Sequence, residues 1–207
     1  MSDAIASLIR LFEQEAERER DPGETPDVGI VMGSDSDLEI MAGAYDALTE
    51  LGFAEITDYD DPPDAQFTFE TFVVSAHRTP QLMYAYAETA ADRGLDVIIA
   101  GAGGKSADLP NMTASIAYPI PVIGVPVQEK SVDSVIGMPK GAPITAVDAG
   151  KSFNAGLSAA QILSTANPEL RSALEAYHRE LQEDVGRVST NLHRKGTSAF
   201  LADKDRS

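Results

Sequence analysis

Cysteine is absent from this 207-residue chain, which excludes a disulfide framework, a thiol nucleophile and a thiolate metal site. Positive charge is scarce, with 16 lysines and arginines against 33 aspartates and glutamates and a formal net charge of -17. Such a surface repels phosphate backbones and anionic membranes, so neither nucleic acid nor a lipid surface is an expected partner. The acidic residues are interleaved with apolar segments rather than gathered into a tail, which argues against acidic disorder. A salt-rich cytoplasm would screen the self-repulsion of this surface, and a halophilic source is the expectation. No basic leader precedes a long apolar run, so neither a signal peptide nor a membrane span is expected, and the protein is placed in the cytoplasm. The Asn111-Met112-Thr113 sequon means little in a chain that shows no export signal. Internal repeats and low-complexity tracts are also missing.

What is present is a chain with 43% hydrophobic residues, enough for one domain with a substantial core. Residues 4 to 20 carry Ile5, Leu8, Ile9 and Phe12 at helical spacing, and Asp21-Pro22-Gly23 stops the pattern. The polar face of this helix is acidic, which makes its apolar stripe a packing surface rather than a membrane anchor. From Asp27 onward apolar runs alternate with helical patterns: Val28–Met32, then a helix over about 36–51; Phe72-Val73-Val74, then a helix from Pro80 to about Arg93; Val97–Ala100; Val122–Val125; and Ile144–Val147 before a helix through 155–162. Strands that are apolar on both faces and separated by helices form a parallel sheet covered on both sides. The expected fold is a three-layer α/β/α sandwich with a parallel, flavodoxin-like doubly wound sheet. The segment from Glu55 to Phe69 reads as an exposed acidic insertion. Pro168 to about Val188 reads as a helix with Leu170, Leu174, Tyr177 and Leu181 on one stripe, and fraying is expected after Gly196. The chain thus divides into an N-terminal helical extension (1–26), a central α/β domain (27–166) and a C-terminal helix and tail (167–207) whose apolar stripe invites subunit packing.

Three strand-end loops carry the chemistry. Gly33-Ser34-Asp35-Ser36-Asp37 follows the first strand, where hydroxyls and the free N–H groups of a helix start suit a phosphate. Ser and Asp are also ordinary N-caps, so capping competes with that reading. A metal reading of Asp35 and Asp37 lacks a third hard ligand at recognisable spacing. Ser75-Ala76-His77-Arg78 leads into Thr79-Pro80, and Pro80 suits the first helical position. The third loop, Gly101-Ala102-Gly103-Gly104-Lys105, offers bare backbone amides. It fails both nucleotide motifs, with Ile99 where a Walker loop needs glycine and Ser106 where the dinucleotide fingerprint needs one. In an open α/β sheet the three loops share the carboxyl edge. Together they supply a phosphate cradle, a cation and an imidazole, whose ordinary titration lies near neutrality, and no metal or organic cofactor is required. His178 and His193 lack such company and read as surface residues.

At these residues the chain resembles the class I N5-carboxyaminoimidazole ribonucleotide mutases of purine biosynthesis. GSDSD at 33–37, SAHRTP at 75–80 and GAGG at 101–104 are similar to that family's three loops. PVIGVPVQ at 121–128, MPKGAP at 138–143 and NAGLSAAQIL at 154–163 add to the likeness, which spans roughly residues 27 to 165. The resemblance implies an intramolecular transferase in purine (IMP) biosynthesis, which moves a carboxylate from the exocyclic nitrogen of an aminoimidazole ribonucleotide to ring carbon C4, through CO2 released and recaptured in a closed pocket. It implies His77 as the acid/base. Ser34, Ser36, Asp37 and Arg78 would hold phosphate and ribose. Ser75, Gly101, Gly103, Gly104, Lys105, Leu109 and Pro110 would complete the substrate pocket. It further implies a homo-octamer with sites at subunit interfaces, stabilised by interlocking C-terminal helices.

The third loop departs from that pattern. The family usually follows its glycines with Ala-Ala-His-Leu-Pro-Gly-Met, whereas this chain has Lys105-Ser106-Ala107-Asp108-Leu109-Pro110-Asn111-Met112, one residue longer and without histidine. The sequence leaves the roles of Lys105 and Asp108 open. Two other readings stand beside the mutase: an aminoimidazole ribonucleotide carboxylase that takes free CO2, and a non-catalytic, flavodoxin-like nucleotide sensor. SAHRTP, in place of the lysine-containing version associated with the carboxylases, favours the mutase.

Overall fold

The computed structural model describes residues 2–21 and 23–204. Two compact units are separated between Leu163 and Ser164.

In the first unit six parallel strands form one sheet: β1 (Val28–Met32), β2 (Ala54–Glu55), β3 (Thr68–Val73), β4 (Val97–Ala102), β5 (Val122–Pro126) and β6 (Thr145–Ala146). Their order across the sheet is β2-β3-β1-β4-β5-β6. Without the two-residue edge strand β2, this is the flavodoxin-like order expected from the alternating pattern. Every residue of β1, β4 and β5 is buried, as strands covered on both faces must be. The helices are α1 (Asp3–Glu17), α2 (Leu38–Glu50), α3 (Pro80–Glu88), α4 (Leu109–Ile116), α5 (Val132–Ile136) and α6 (Ser152–Leu163). The pair α2 and α6 packs together on one face, while α3 packs with both α1 and α4 on the other.

Register fixes where the loops begin. Met32 at the end of β1 pairs with Val73 on one side and with Gly101 on the other, and Gly101 in turn pairs with Val125. Four strand ends therefore stand level at the carboxyl edge. After β1 the chain crosses to β2 and β3 on one side and then returns to β4 on the other, so the loops after β1 and β4 part and leave a crevice between them.

Several local expectations are corrected. The segment 55–69 is not wholly an exposed insertion: Phe67, Thr68 and Phe69 are buried, and β3 starts at Thr68. An acidic residue disguised this strand. Glu70 is buried within β3 and paired with Arg93 at 2.6 Å, a partner 23 positions away that no local pattern displays. Val74 is buried but Val73 is 48% exposed, so the apolar run before His77 is only partly covered. Helix α3 ends at Glu88, short of Arg93. Thr89 Oγ1 donates to the Ala85 carbonyl and accepts from Arg93 Nε, and the chain turns through Gly94 at φ +93°.

The second unit is α7 (Pro168–Lys195) followed by α8 (Thr197–Lys204). The first of these runs past the expected end near Val188 to Gly196, with His193, Arg194 and Lys195 facing the negative end of its dipole. Helix α8 stands where fraying was expected, and Lys195 Nζ meets Asp203 at 2.6 Å beside it. Both His178 and His193 are exposed on α7.

Candidate active site

The level strand ends carry the loops into one cleft of about 510 Å³. From the loop after β1 come Gly33, Ser34, Ser36 and Asp37; from that after β3 come Ser75, Ala76, His77 and Arg78. The third wall holds Ala102, Gly103, Gly104, Ser106, Asp108 and Leu109, and a fourth holds Gln128 and Lys130.

The first loop is a single turn of 3-10 helix over Asp35–Asp37, and Ser34 Oγ caps it by accepting from Ser36 N at 3.4 Å. Capping and cleft lining thus coincide in Ser34, because a serine that turns the chain at a strand end leaves its hydroxyl beside the opening. Asp37 is buried at 7% exposure. A Cβ added at Gly103 would lie 3.1 Å from Asp37 Oδ1, and one at Gly33 would lie 3.5 Å from Oδ2. The absence of side chains there lets this carboxylate sit between the first and third loops. Burial pushes the Asp37 carboxyl above its ordinary range; Asp35 adds to the rise, while the Ser34 backbone and the Arg78 guanidinium oppose it.

The second loop is braced from within. Thr79 Oγ1 accepts from Ser75 N at 2.9 Å and donates to the Ser75 carbonyl at 3.2 Å. Ser75 Oγ accepts from Arg78 N at 3.2 Å and from Arg78 Nε at 3.4 Å. Arg78 Nη2 then donates to the Gly33 carbonyl at 2.7 Å, which ties the second loop to the first. Pro80 opens α3 at its first turn, where a missing N–H is tolerated. His77 projects between these loops and the third, with Nε2 2.8 Å from Asp108 Oδ2, and it is 59% exposed.

Chemically the cleft offers an arginine held in place by a carbonyl and a hydroxyl, a lysine, four serine hydroxyls, a glycine-lined backbone and one imidazole. That set suits an anionic sugar phosphate with a proton-trading group beside it. Among the described residues, no group of three or more His, Asp or Glu side chains could hold a metal ion.

A family model described as AIR carboxylase matches residues 27–184. The chain belongs to the AIR carboxylase family. Within it, the N5-carboxyaminoimidazole ribonucleotide mutase of Mycobacterium tuberculosis is 46% identical over 178 residues, covering 83% of this chain and 93% of that protein. The protein of the same name from Thermotoga maritima is 40% identical over 186 residues, or 87% of this chain and 99% of that one. The phosphoribosylaminoimidazole carboxylase of Schizosaccharomyces pombe is 42% identical over 189 residues, 88% of this chain but only 31% of that longer protein. A crystal structure of Treponema denticola PurE has the same fold, with a TM-score of 0.65 at 23% sequence identity over 81% of this chain and 98% of that one.

Three residues named from the resemblance to the N5-carboxyaminoimidazole ribonucleotide mutases do not line the cleft. Gly101 belongs to β4 and lies against the Met41 side chain. Pro110 is buried against Gly124 of β5. Lys105 is exposed beyond the glycine bend. Each sits one position from a lining residue, and a strand or a helix turn sends neighbouring side chains in different directions. In the other direction, Gln128 and Lys130 were missed. Their signal was available: the strand Val122–Pro126 ends on the same edge, so the rule that recruited three loops applies to a fourth.

Proposed function

We propose that this protein is an N5-carboxyaminoimidazole ribonucleotide mutase of purine biosynthesis. The observation that carries this reading is the meeting of His77, Arg78, Asp37 and the glycine bend in one cleft, with membership of the AIR carboxylase family behind it. Arg78, Ser34 and Ser36 hold the substrate phosphate, with Lys130 adding charge, while Asp37 faces the ribose. His77 lies at the base. The carbamate C–N bond breaks to release CO2, and a proton is delivered to the nitrogen. The ring carbon C4 then attacks CO2, a C–C bond forms, and His77 removes the C4 proton. One proton enters and one leaves, so the sum is an isomerisation.

CO2 is retained only in a closed pocket, yet the imidazole here is 59% exposed. We therefore place the site at an interface between subunits of a homo-octamer. Along α7 the apolar residues Leu181, Val185, Val188 and Leu192 are exposed at helical spacing, which supports packing between subunits. Catalysis is assigned to residues 27–166, with the flanking segments serving packing, and the setting is a salt-rich cytoplasm. Among the described residues no helix is long and apolar enough to cross a membrane.

The experiment is turnover of the N-carboxylated substrate in labelled bicarbonate. A mutase forms product faster than label enters it. Label entering as fast as product forms, from the uncarboxylated ribonucleotide, would make this an aminoimidazole ribonucleotide carboxylase that takes free CO2. His77→Asn should lower kcat by at least about 10²-fold, the usual share of a placed acid/base. Retained turnover, or binding without turnover in the wild type, would favour a different role for the cleft. Light scattering should give a mass near eight chains, and one or two chains would remove the octamer.

A further inference from the structure

We propose that Asp108 is a positioning residue for His77: its carboxylate holds Nε2 of the imidazole and so fixes which ring edge faces the substrate. This rests on the mutase reading of the same cleft. Asp108 occupies the N-cap position of α4, where an aspartate ordinarily accepts from the first-turn N–H groups. Here it makes no such bond. Its Oδ2 instead lies 2.8 Å from His77 Nε2, across 31 positions of chain. The other oxygen is occupied too, since Oδ1 accepts from Ser134 Oγ at 3.4 Å. Ser134 belongs to α5, and its carbonyl accepts from Asn111 Nδ2 at 2.5 Å, which ties α5 back to the start of α4. The carboxylate is thus held from behind by a second helix while it faces the imidazole.

A carboxylate on one ring nitrogen selects the ring orientation and leaves the opposite nitrogen to trade protons. Among the described residues no other side chain hydrogen-bonds the His77 ring, and Ser75, Arg78 and Thr79 bond one another rather than the imidazole. Without Asp108 the half-exposed side chain would be free to rotate about χ1 and χ2. The stretch where this chain departs from the resemblance, one residue longer and without histidine, thus includes the carboxylate that meets the imidazole.

The test uses Asp108→Ala in the full-length protein, a change that removes no helix-capping bond. The first measurement is modification of histidine by diethyl pyrocarbonate, mapped by peptide mass spectrometry, with exposed His178 and His193 as internal references. Loss of the carboxylate should speed modification of His77 roughly threefold or more relative to these references, in line with one freed hydrogen bond. The second is steady-state kinetics, where kcat should fall about tenfold or more while KM stays within about twofold, because the imidazole and not the substrate grip is disturbed. The variant Asp108→Glu, which restores the carboxylate one methylene farther out, should recover part of the kcat.

An unchanged relative modification rate would overturn the proposal. So would a raised KM with kcat retained, which would make Asp108 a substrate contact. The modification experiment needs no substrate, so it decides the Asp108–His77 pairing even if wild-type protein proves inactive as a mutase.

Discussion

Gly101 shows how one missing methyl group sets the height of a loop. An added Cβ would lie 2.1 Å from Sδ of Met41, whose side chain is 1% exposed between α2 and the sheet. Gly101→Ala is expected to destabilise the protein by about 1–3 kcal/mol through overpacking, read as a lower thermal midpoint. Asp27, just before β1, gives a pH signature. Burial pushes its carboxyl up to about 6 from 3.8; Asp96 adds to the rise, and the Thr68 N–H that donates to Oδ2 at 2.7 Å opposes it. Below about pH 4 both folded and unfolded chains hold this proton, so Asp27 has no net effect. As pH rises towards 6 the unfolded chain ionises first, and the folded state is progressively disfavoured until both are charged. Asp27→Asn keeps an acceptor for Thr68 and removes the charge. Denaturant titrations should show the variant gaining on wild type between pH 4 and 6 and staying more stable by about 1–2 kcal/mol at pH 7, after allowance for screening by solvent. A constant difference across that range would count against this account. His77, Arg78 and Asp37 were legible at this scale because their residue types are chemically distinctive. The Asp108 contact was not, because an N-cap aspartate looks the same in sequence whether or not it caps.

Strand β3 and helix α1 are held by one buried ion pair. Arg93 and Glu70 are each 1% exposed and 2.6 Å apart. Tyr59, from the acidic segment, donates to Glu70, while Phe12 of α1 and Tyr86 of α3 lie against the guanidinium at 4.8 and 4.6 Å. Burial, with the Glu70 charge adding to it, raises the Tyr59 hydroxyl well beyond its ordinary range, so it remains a donor. Glu70→Ala would leave a buried, unpaired guanidinium, and a loss of about 3–5 kcal/mol is expected in denaturant unfolding. Because the same guanidinium carries Phe12, trypsin should also cleave faster after Arg18 and Arg20. Unchanged cleavage would show that α1 is held independently of the pair. At this scale the sequence located most helices and the apolar strands, since periodicity and strand composition are local properties. It misplaced the start of β3 and the end of α3, where a long-range pair overrode the local pattern.

The whole molecule must fold despite a net charge of -17. At about 0.1 M salt the screening length is ~10 Å, and at about 1 M it is ~3 Å, so self-repulsion across this surface depends strongly on the medium. Far-ultraviolet circular dichroism should therefore show loss of secondary structure on dialysis from molar into millimolar salt. Full retention would remove the halophilic reading. The sequence by itself determined the alternation of apolar strands and helices, the acidic surface and the chemically distinctive loop residues, because each depends on neighbours along the chain. Tertiary structure alone decided that Met32, Val73, Gly101 and Val125 stand level, and that Asp108 meets His77 rather than its own helix. Register and side-chain direction decide such meetings, and both are set by packing between elements far apart in the chain.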